Sequence, residues 1–286
     1  MGGKCNISST VEVLLISVMV IVAIVPQWLL GDFPIELFGA PLNIIVLLLC
    51  MVCTVELYRR RATSRLAQYL LSMRATWLSL LLMVVVALVL GLQREPASES
   101  WGVVVAMLFV LTHLQMVIMR GWRSDGGVRW RFVFNHVGLW LALAAGYYGA
   151  ADREQLRVVV ERDATTSVAY DMSGVMHTME YELQLKEFAA SYYDNGTPSH
   201  FEAHVAVDGD VVPLKVNHPY MLTWSDTLYL VSYDSDTPCK YCVVELVSEP
   251  WRWLTMLGIV MLIVGAVLMF LRGPRRVTTE KYRCER

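Results

Sequence analysis

Residues Val11–Leu30 read Val-Glu-Val-Leu-Leu-Ile-Ser-Val-Met-Val-Ile-Val-Ala-Ile-Val-Pro-Gln-Trp-Leu-Leu, with one charged side chain in the whole run. The hydrocarbon core of a bilayer is about 30 Å thick, so about 20 apolar residues in a helix cross it. The segment Val25-Pro26-Gln27-Trp28 does not resemble the small-residue cleavage site of a signal peptide. We therefore expect a membrane-spanning helix that the mature protein keeps.

Five further apolar stretches come close to the same length. The chain is 56% hydrophobic and 17% charged, whereas a soluble domain is usually about 45–50% apolar and about 25% charged. The second stretch is the shortest, and it contains the charged Glu56 near its end. We predict about six spans, which are Val11–Leu30, Leu42–Leu57, Thr76–Gln93, Trp101–Met119, Phe132–Gly149 and Trp253–Leu271.

Basic residues are concentrated in alternate loops. They follow spans two, four and six, whereas the loops after spans one and three are acidic or neutral; the basic sets are Arg59, Arg60, Arg61, Arg65 and Arg74, then Arg120, Arg123, Arg129 and Arg131, then Arg272, Arg275, Arg276, Lys281, Arg283 and Arg286. Positively charged loops stay in the cytoplasm. We therefore expect a multi-pass protein of a bacterial inner (plasma) membrane with both termini cytoplasmic. Apolar side chains spaced for one face also predict an interfacial helix in Arg59–Met73.

The segment between spans five and six changes to a strand pattern. Apolar and polar residues alternate in Met179–Leu185 and in Ala203–Val207, and Asp194-Asn195-Gly196 and Asp208-Gly209-Asp210 are strong hairpin signals. Two further candidate strands are Leu228–Tyr233 and Tyr241–Ser248. The pattern predicts five to seven antiparallel strands, arranged as a small sandwich or a curled sheet.

These patterns divide the chain into three parts. We predict a five-span transmembrane region at 1–150, an extracytoplasmic β domain at 151–250, and a final transmembrane helix with a basic cytoplasmic tail at 251–286. The β domain carries 17 acidic against 6 basic side chains. Such a surface would attract a basic partner, although solubility alone also explains it. It excludes the positive footprint of a nucleic-acid-binding protein.

Two histidines, His113 and His136, lie inside predicted spans. An ionisable side chain at membrane depth is costly and is therefore a functional hypothesis by default. His113 lies about 18 Å below the outer end of its span, and His136 lies near the inner end of the next one. A neutral imidazole is a good axial ligand for haem iron. The alternative is that each ring is hydrogen-bonded to a neighbouring helix or lies near enough to the interface to be wet.

The remaining histidines lie outside the membrane. His200 and His204 are four residues apart in an extended segment, where we do not expect this spacing to align them. We therefore predict no metal site beyond haem iron.

The β domain contains one Cys-x-x-Cys motif, Cys239-Lys240-Tyr241-Cys242. Two thiols in an oxidising compartment form either a structural disulfide or a redox-active pair. Covalent haem attachment would need histidine at the next position, which is Val243. The chain also lacks a phosphate loop, a dinucleotide fingerprint, a nucleophile elbow and a zinc-protease motif.

Two stretches together resemble a known family. One is the histidine-led span Phe134-Asn135-His136-Val137-Gly138-Leu139-Trp140, and the other runs from Leu214-Lys215-Val216-Asn217-His218-Pro219 through Cys242–Trp251 to a closing Phe270-Leu271-Arg272-Gly273-Pro274. Over roughly residues 130–275 the chain resembles the ResB (CcsB) family of cytochrome c biogenesis proteins, the system II machinery.

The resemblance implies a role shared with other subunits. Such proteins work with a CcsA-like membrane subunit to carry haem across the membrane and to support its attachment to an exported apocytochrome c. His136 matches the position of the family's candidate haem ligand, and His113, the other histidine inside a predicted span, is the second residue that we predict to bind the cofactor. The implied cofactor is transient haem b, whose second ligand the partner would supply. The chain would then be a non-catalytic or co-catalytic subunit of a cytochrome c haem lyase complex.

The sequence departs from the family in having a short β domain, five spans before that domain and no tryptophan-rich haem-handling segment. A partner subunit is therefore necessary. Two other hypotheses stay open. One is a membrane thiol–disulfide exchange protein built on Cys239 and Cys242, and the other is a structural or sensory membrane protein whose β domain binds a ligand.

Overall fold

The computed structural model describes residues 3–92, 99–124, 127–195, 197–234 and 238–272. The chain forms two compact units. One contains Met1–Tyr148 and Trp253–Arg286, and its described residues are mainly helical; the other contains Gly149–Arg252, and its described residues form a β domain. The predicted combination of membrane helices and an antiparallel β domain is confirmed.

The helical unit consists of seven α-helices within the described residues. They are α1 (Gly3–Leu30), α2 (Leu42–Arg59), α3 (Arg65–Leu70), α4 (Met73–Leu92), α5 (Trp101–Gly121), α6 (Trp130–Tyr148) and α7 (Arg252–Arg272). A 3-10 turn at Ile35–Phe38 precedes α2, and a two-stranded hairpin of β1 (Arg123–Ser124) and β2 (Gly127–Val128) joins α5 to α6. Ser64 and Ser100 cap the N-termini of α3 and α5 by accepting backbone N–H groups.

Five of the described helices are long and apolar enough to cross a membrane, which are Ser9–Leu30, Leu42–Arg59, Met73–Leu92, Trp101–Gly121 and Arg252–Leu271. They correspond to predicted spans one to four and six. The predicted fifth span, Phe132–Gly149, also forms a helix, α6. It falls outside the set because Arg131, Asn135 and His136 interrupt its apolar run.

Helix α5 is the centre of the helical unit. It packs against α1, α2, α4 and α6, and half of its span is buried. Helix α3 packs into the interior of the helical unit. Its residues Tyr69 and Leu70 are buried in a cluster with Phe109 and Met116 of α5. The predicted interfacial helix is therefore shorter than expected, and neighbouring helices cover part of its apolar face.

Helices α6 and α7 approach through small residues. A Cβ added to Gly138 would lie 2.8 Å from the carbonyl oxygen of Gly258, and one added to Gly258 would lie 2.5 Å from the backbone nitrogen of Ala142. Two helical turns further along α7, a Cβ on Gly265 would lie 2.7 Å from the Asn135 amide. Small residues at helix interfaces in membranes allow backbones to come close. Any larger side chain here would separate α6 from α7.

The β domain is one curled antiparallel sheet of eight described strands in the order β7-β6-β5-β4-β3-β10-β9-β8. The strands are β3 (Glu154–Glu161), β4 (Thr166–Tyr170), β5 (Met176–Tyr192), β6 (Pro198–Val207), β7 (Asp210–Lys215), β8 (Tyr220–Met221), β9 (Asp226–Tyr233) and β10 (Tyr241–Ser248). Strand β7 at one edge contacts β8 and β9 at the other. The curl encloses an apolar core.

Alternation along the strands builds that core. On β3, Val158 and Val160 are fully buried while Val159 between them is exposed, as expected for side chains that point to opposite faces in turn. The predicted hairpin at Asp208-Gly209 is confirmed: both residues have positive φ, 51° and 97°, and they join β6 to β7. The other predicted turn includes Gly196, which lies outside the described residues.

Candidate functional site

The corner between α5 and α6 is a compact, basic structure. The backbone N–H of Arg129 donates to the carbonyl oxygen of Trp122 at 2.9 Å, and the Arg129 guanidinium donates to the carbonyl oxygen of Gly121 at 3.3 Å. The guanidinium of Arg123 lies 4.1 Å from the centre of the Trp122 ring, a favourable cation–π geometry. These contacts fix the start of α6 against the end of α5.

Phe132 is held in place on three sides. A Cβ on Gly121 would overlap the Phe132 ring, so the ring packs directly on the glycine. The imidazole of His136 stacks on the ring with a centroid distance of 3.9 Å and an interplanar angle of 20°. The Arg129 guanidinium lies 5.1 Å from the ring centre. Phe132 therefore connects the end of α5 to the imidazole of His136.

The ring of His136 has a defined orientation and tautomer. Its Nδ1 lies 2.9 Å from the carbonyl oxygen of Phe132, one helical turn earlier. A carbonyl oxygen can only accept, so Nδ1 carries the proton and Nε2 keeps its lone pair. No hydrogen bond to Nε2 is found within the residues that the structure describes. Histidines that bind metal almost always donate their other ring N–H to a carbonyl or carboxylate in this way.

His113 has the same tautomer as His136, but its ring joins two helices. Its Nδ1 lies 2.9 Å from the carbonyl oxygen of Leu70, at the C-terminal end of α3, and its side chain is buried. The Arg120 guanidinium donates to the next carbonyl, that of Leu71, at 2.6 Å. The last carbonyls of a helix lack intrahelical partners. The His113 and Arg120 side chains satisfy these carbonyls and attach α3 to α5. Haem binding by His113 stays a prediction.

His113 and His136 lie at a similar distance from the α5–α6 corner. His113 precedes Gly121 by eight residues, and His136 follows Trp130 by six. At 1.5 Å per residue these separations are about 12 Å and about 9 Å. The two helices pack against each other. The fold therefore places both predicted ligands on neighbouring helices, near the basic end of each.

Asn135 fixes α6 against α7. Its amide donates to the carbonyl oxygen of Arg131 at 2.8 Å and contacts the sulfur of Met269 on α7 at 3.5 Å. Gly265 leaves room for this amide. Neighbouring positions 135 and 136 thus serve different purposes, since Asn135 packs against α7 while His136 stacks on Phe132.

Cys239 and Cys242 are free thiols buried in the core of the β domain. The Cys239 Sγ donates to the carbonyl oxygen of Tyr241 at 3.2 Å. Burial raises the pKa of Cys242 to about 12 and also raises the pKa of Cys239. The thiolate is the form that attacks a disulfide. The structure therefore gives the two thiols the properties of core side chains.

His200 and His204 lie on the same face of β6, contrary to the expectation from their spacing. Strand residues two and four apart share a face, and Glu202 lies between them. Its carboxylate is 3.4 Å from the His204 ring and 3.4 Å from the Lys215 ammonium. No group of three or more His, Cys, Asp or Glu that could hold a metal is found in the part of the chain that the structure describes.

The two units define the class of protein: membrane helices with an antiparallel β domain between α6 and α7. Residues 127–242 match the family model described as the ResB-like family. Over that range the chain is similar to the ResB-like family, so the resemblance predicted from the sequence is confirmed. The match includes His136 and the Cys-x-x-Cys motif and ends at Cys242. The closing stretch after Cys242, which also suggested the resemblance, lies outside it.

A solved structure titled "Cytochrome c Heme Lyase CcmF" is similar to 89% of this chain, with 12% sequence identity and a TM-score of 0.37. The chain spans 44% of the length of that structure. A comparison with curated proteins gave no match.

Proposed function

We propose that this chain is a ResB-like subunit of a cytochrome c synthase complex. Its role is to assist haem export across the membrane and haem attachment to an exported apocytochrome c, together with a CcsA-like membrane subunit. The observation that carries the proposal is the geometry of His136, which lies within the ResB-like segment and has an Nε2 lone pair and a fixed Nδ1 proton.

His136 would be a haem ligand supplied by this chain. Haem iron accepts a neutral imidazole nitrogen as an axial ligand. The carbonyl of Phe132 holds the Nδ1 proton, and the Phe132 ring restrains the plane of the imidazole. Both contacts orient Nε2 before any haem arrives. The haem is haem b and transient, its second ligand comes from the partner, and His113 remains a secondary candidate.

In the proposed topology, α6 crosses the membrane despite its polar residues. Its 19 residues are about 28 Å long, close to the thickness of a bilayer core. With six crossings, every basic loop lies on one side. Both termini are then cytoplasmic in a bacterial inner membrane, and residues 151–250 are extracytoplasmic. His136 lies about 9 Å from the cytoplasmic end of α6.

The thiol-exchange hypothesis receives less support. Exchange needs thiolates near neutral pH, whereas burial raises the pKa of both Cys239 and Cys242. The remaining alternative, a structural or sensory membrane protein, makes no use of His136. The two classes therefore separate on the effect of changing that one side chain.

The test is the absorption spectrum of the full-length protein purified in detergent with the coexpressed CcsA-like partner. We expect a Soret band in the wild type that is lost in His136→Ala and recovered in His136→Gly on addition of imidazole, which can fill the vacated position. His204→Ala is the matched control because its ring lies in the β domain. An equal Soret band in wild type and His136→Ala, or no haem in any stable complex, would contradict the proposal.

A further inference from the structure

Arg252 connects the β domain to the last membrane helix. It is the first residue of the span Arg252–Leu271, and its side chain holds the loop between β8 and β9. The guanidinium donates to the Thr227 hydroxyl at 2.8 Å and to the Trp224 carbonyl at 2.9 Å, and it contacts the Met221 sulfur at 3.2 Å. The loop is therefore fixed beside the point where the chain begins the span.

The segment Tyr220–Trp224, which consists of strand β8 and the first residues of the loop after it and is called the Tyr220–Trp224 loop below, presents apolar side chains to solvent. Trp224 is 62% exposed, Met221 is 53% exposed and Tyr220 is 36% exposed. Its backbone is nevertheless ordered: the N–H groups of Leu222 and Thr223 both donate to the carbonyl of Asp226. Leu222 packs against the core of the β domain. The loop thus turns one side inward and holds two large apolar side chains outward.

We propose that the Tyr220–Trp224 loop is a membrane contact that places Met221 and Trp224 in the lipid headgroup layer, in the same leaflet as the N-terminal end of α7. This layer is roughly 5–7 Å thick on each side of the hydrocarbon core. A tryptophan ring has an apolar body and a polar N–H, and such rings collect at this depth. The inference goes beyond the proposed function and does not depend on haem binding.

Charge and continuity favour lipid as the occupant. The β domain is acidic, yet the Tyr220–Trp224 loop contains no charged residue, so it can approach anionic headgroups without repulsion. Arg252 adds a cation beside it, which suits lipid phosphates. Arg252 is the first residue of the candidate span Arg252–Leu271 and also bonds to the loop, so the loop is attached to the residue at which the chain enters that span.

The test is photocrosslinking in the full-length protein, reconstituted in nanodiscs of phosphatidylethanolamine and phosphatidylglycerol. Benzoylphenylalanine replaces Trp224, or Met221 in a second variant. The matched control is Tyr193, which is also 62% exposed. Its neighbour Tyr192 is hydrogen-bonded to Tyr233. Tyr233 and Thr227 lie at opposite ends of β9, about 20 Å apart along the strand, so the control position is far from the Tyr220–Trp224 loop.

We expect phospholipid adducts, identified by mass spectrometry, at positions 224 and 221. We expect no such adduct at position 193. Equal lipid adduct yields at all three positions would overturn the proposal, because they would report random collision. Adducts to a protein or to a second copy of the chain at 224 and 221, without lipid, would overturn it in favour of a protein interface. If the variant at 224 does not fold, the variant at 221 decides, since it removes only the thioether contact.

Discussion

The indole Nε1 of Trp251 donates a hydrogen bond to the Oδ2 of Asp152 across 2.6 Å. Asp152 lies shortly after α6 and Trp251 lies just before α7. Gly149 packs against the same indole, since a Cβ there would lie 2.5 Å from it, and Arg153 pairs with Glu249 at 3.0 Å. The first and last residues of the β domain are therefore fixed to each other.

We expect Trp251→Phe to lower the stability of the β domain. The substitution removes a hydrogen bond to a carboxylate, which contributes about 1.5–3 kcal/mol. Calorimetric unfolding of the detergent-solubilised protein measures the change. Tyr229→Phe is the control, because that side chain is 40% exposed on β9 and we expect little effect there. Equal melting temperatures for Trp251→Phe and wild type would contradict the structural role.

A matched pair of glycines on α6 tests its packing against α7. We expect Gly138→Ala to destabilise the helical unit by about 1–3 kcal/mol, the usual cost of overpacking, because the new Cβ would meet the Gly258 carbonyl at 2.8 Å. Gly146→Ala on the same helix has nothing within 4 Å of the added Cβ and should be neutral or stabilising. Urea resistance of the two variants in detergent compares them directly, and equal losses would show that α6 and α7 do not pack this closely.

Phe132→Leu tests how the imidazole of His136 is positioned. The backbone carbonyl that binds Nδ1 remains, but the ring stacking at 3.9 Å is lost. Aromatic pairs contribute about 0.5–1.5 kcal/mol, so we expect haem retention to fall by about twofold to tenfold. Soret absorbance per mole of purified complex measures it, with Phe134→Leu on the same helix as the control. No difference between the two variants would remove Phe132 from the positioning of His136.

Asp226 makes the β domain sensitive to acid. Burial raises the pKa of its carboxyl group, but hydrogen bonds from Ser248, Tyr181, Thr223 and Ser225 outweigh burial and hold the pKa below its usual value. A lowered folded-state pKa stabilises the folded state above the unfolded value of about 3.9 and loses that contribution as pH falls through the folded pKa.

We therefore expect Asp226→Asn to be less stable than wild type at pH 7 and to approach wild type below about pH 4. Urea unfolding at both pH values measures the difference. Asp163→Asn changes an exposed carboxylate and serves as the control. A stability gap for Asp226→Asn that stays constant with pH would exclude a contribution from the ionised carboxylate.

The two buried cysteines should react slowly. Because burial raises the pKa of Cys242 to about 12, few thiolates form at pH 8, and we expect modification of Cys239 and Cys242 by iodoacetamide only after denaturation. Mass spectrometry of the reduced protein, before and after urea, follows both sites. Rapid modification of the folded protein at either cysteine would revive the thiol-exchange hypothesis.

Much of the architecture could be predicted from local pattern. Hydropathy located the helices because a span needs only length and apolarity, and the Asp208-Gly209 turn followed from the positive φ that a tight hairpin requires. The polar residues of α6 are also visible in the sequence, and His136 stands out there both as an ionisable side chain inside a predicted span and by its match to the family's candidate ligand. These features depend on residues close together in the chain.

The contacts that position the site depend on residues brought together by folding. Gly121 gives no signal in the sequence, and only the packing of α6 against α5 reveals that the Phe132 ring needs its missing side chain. His113 was recognised as unusual, but its partner is the Leu70 carbonyl, from a segment expected at the membrane surface. His200, Glu202 and His204 share one face of β6 because strand residues two and four apart point the same way. The expectation that His200 and His204 do not align was therefore wrong.

The contact between Gly121 and Phe132 has a mechanical consequence. The Phe132 ring rests on the end of α5, while the imidazole of His136 rests on that ring. A change in the angle between α5 and α6 would therefore move the surface on which the ring rests, and with it the imidazole stacked on the ring. The direction of the Nε2 lone pair is thereby tied to the tilt of α6 against α5.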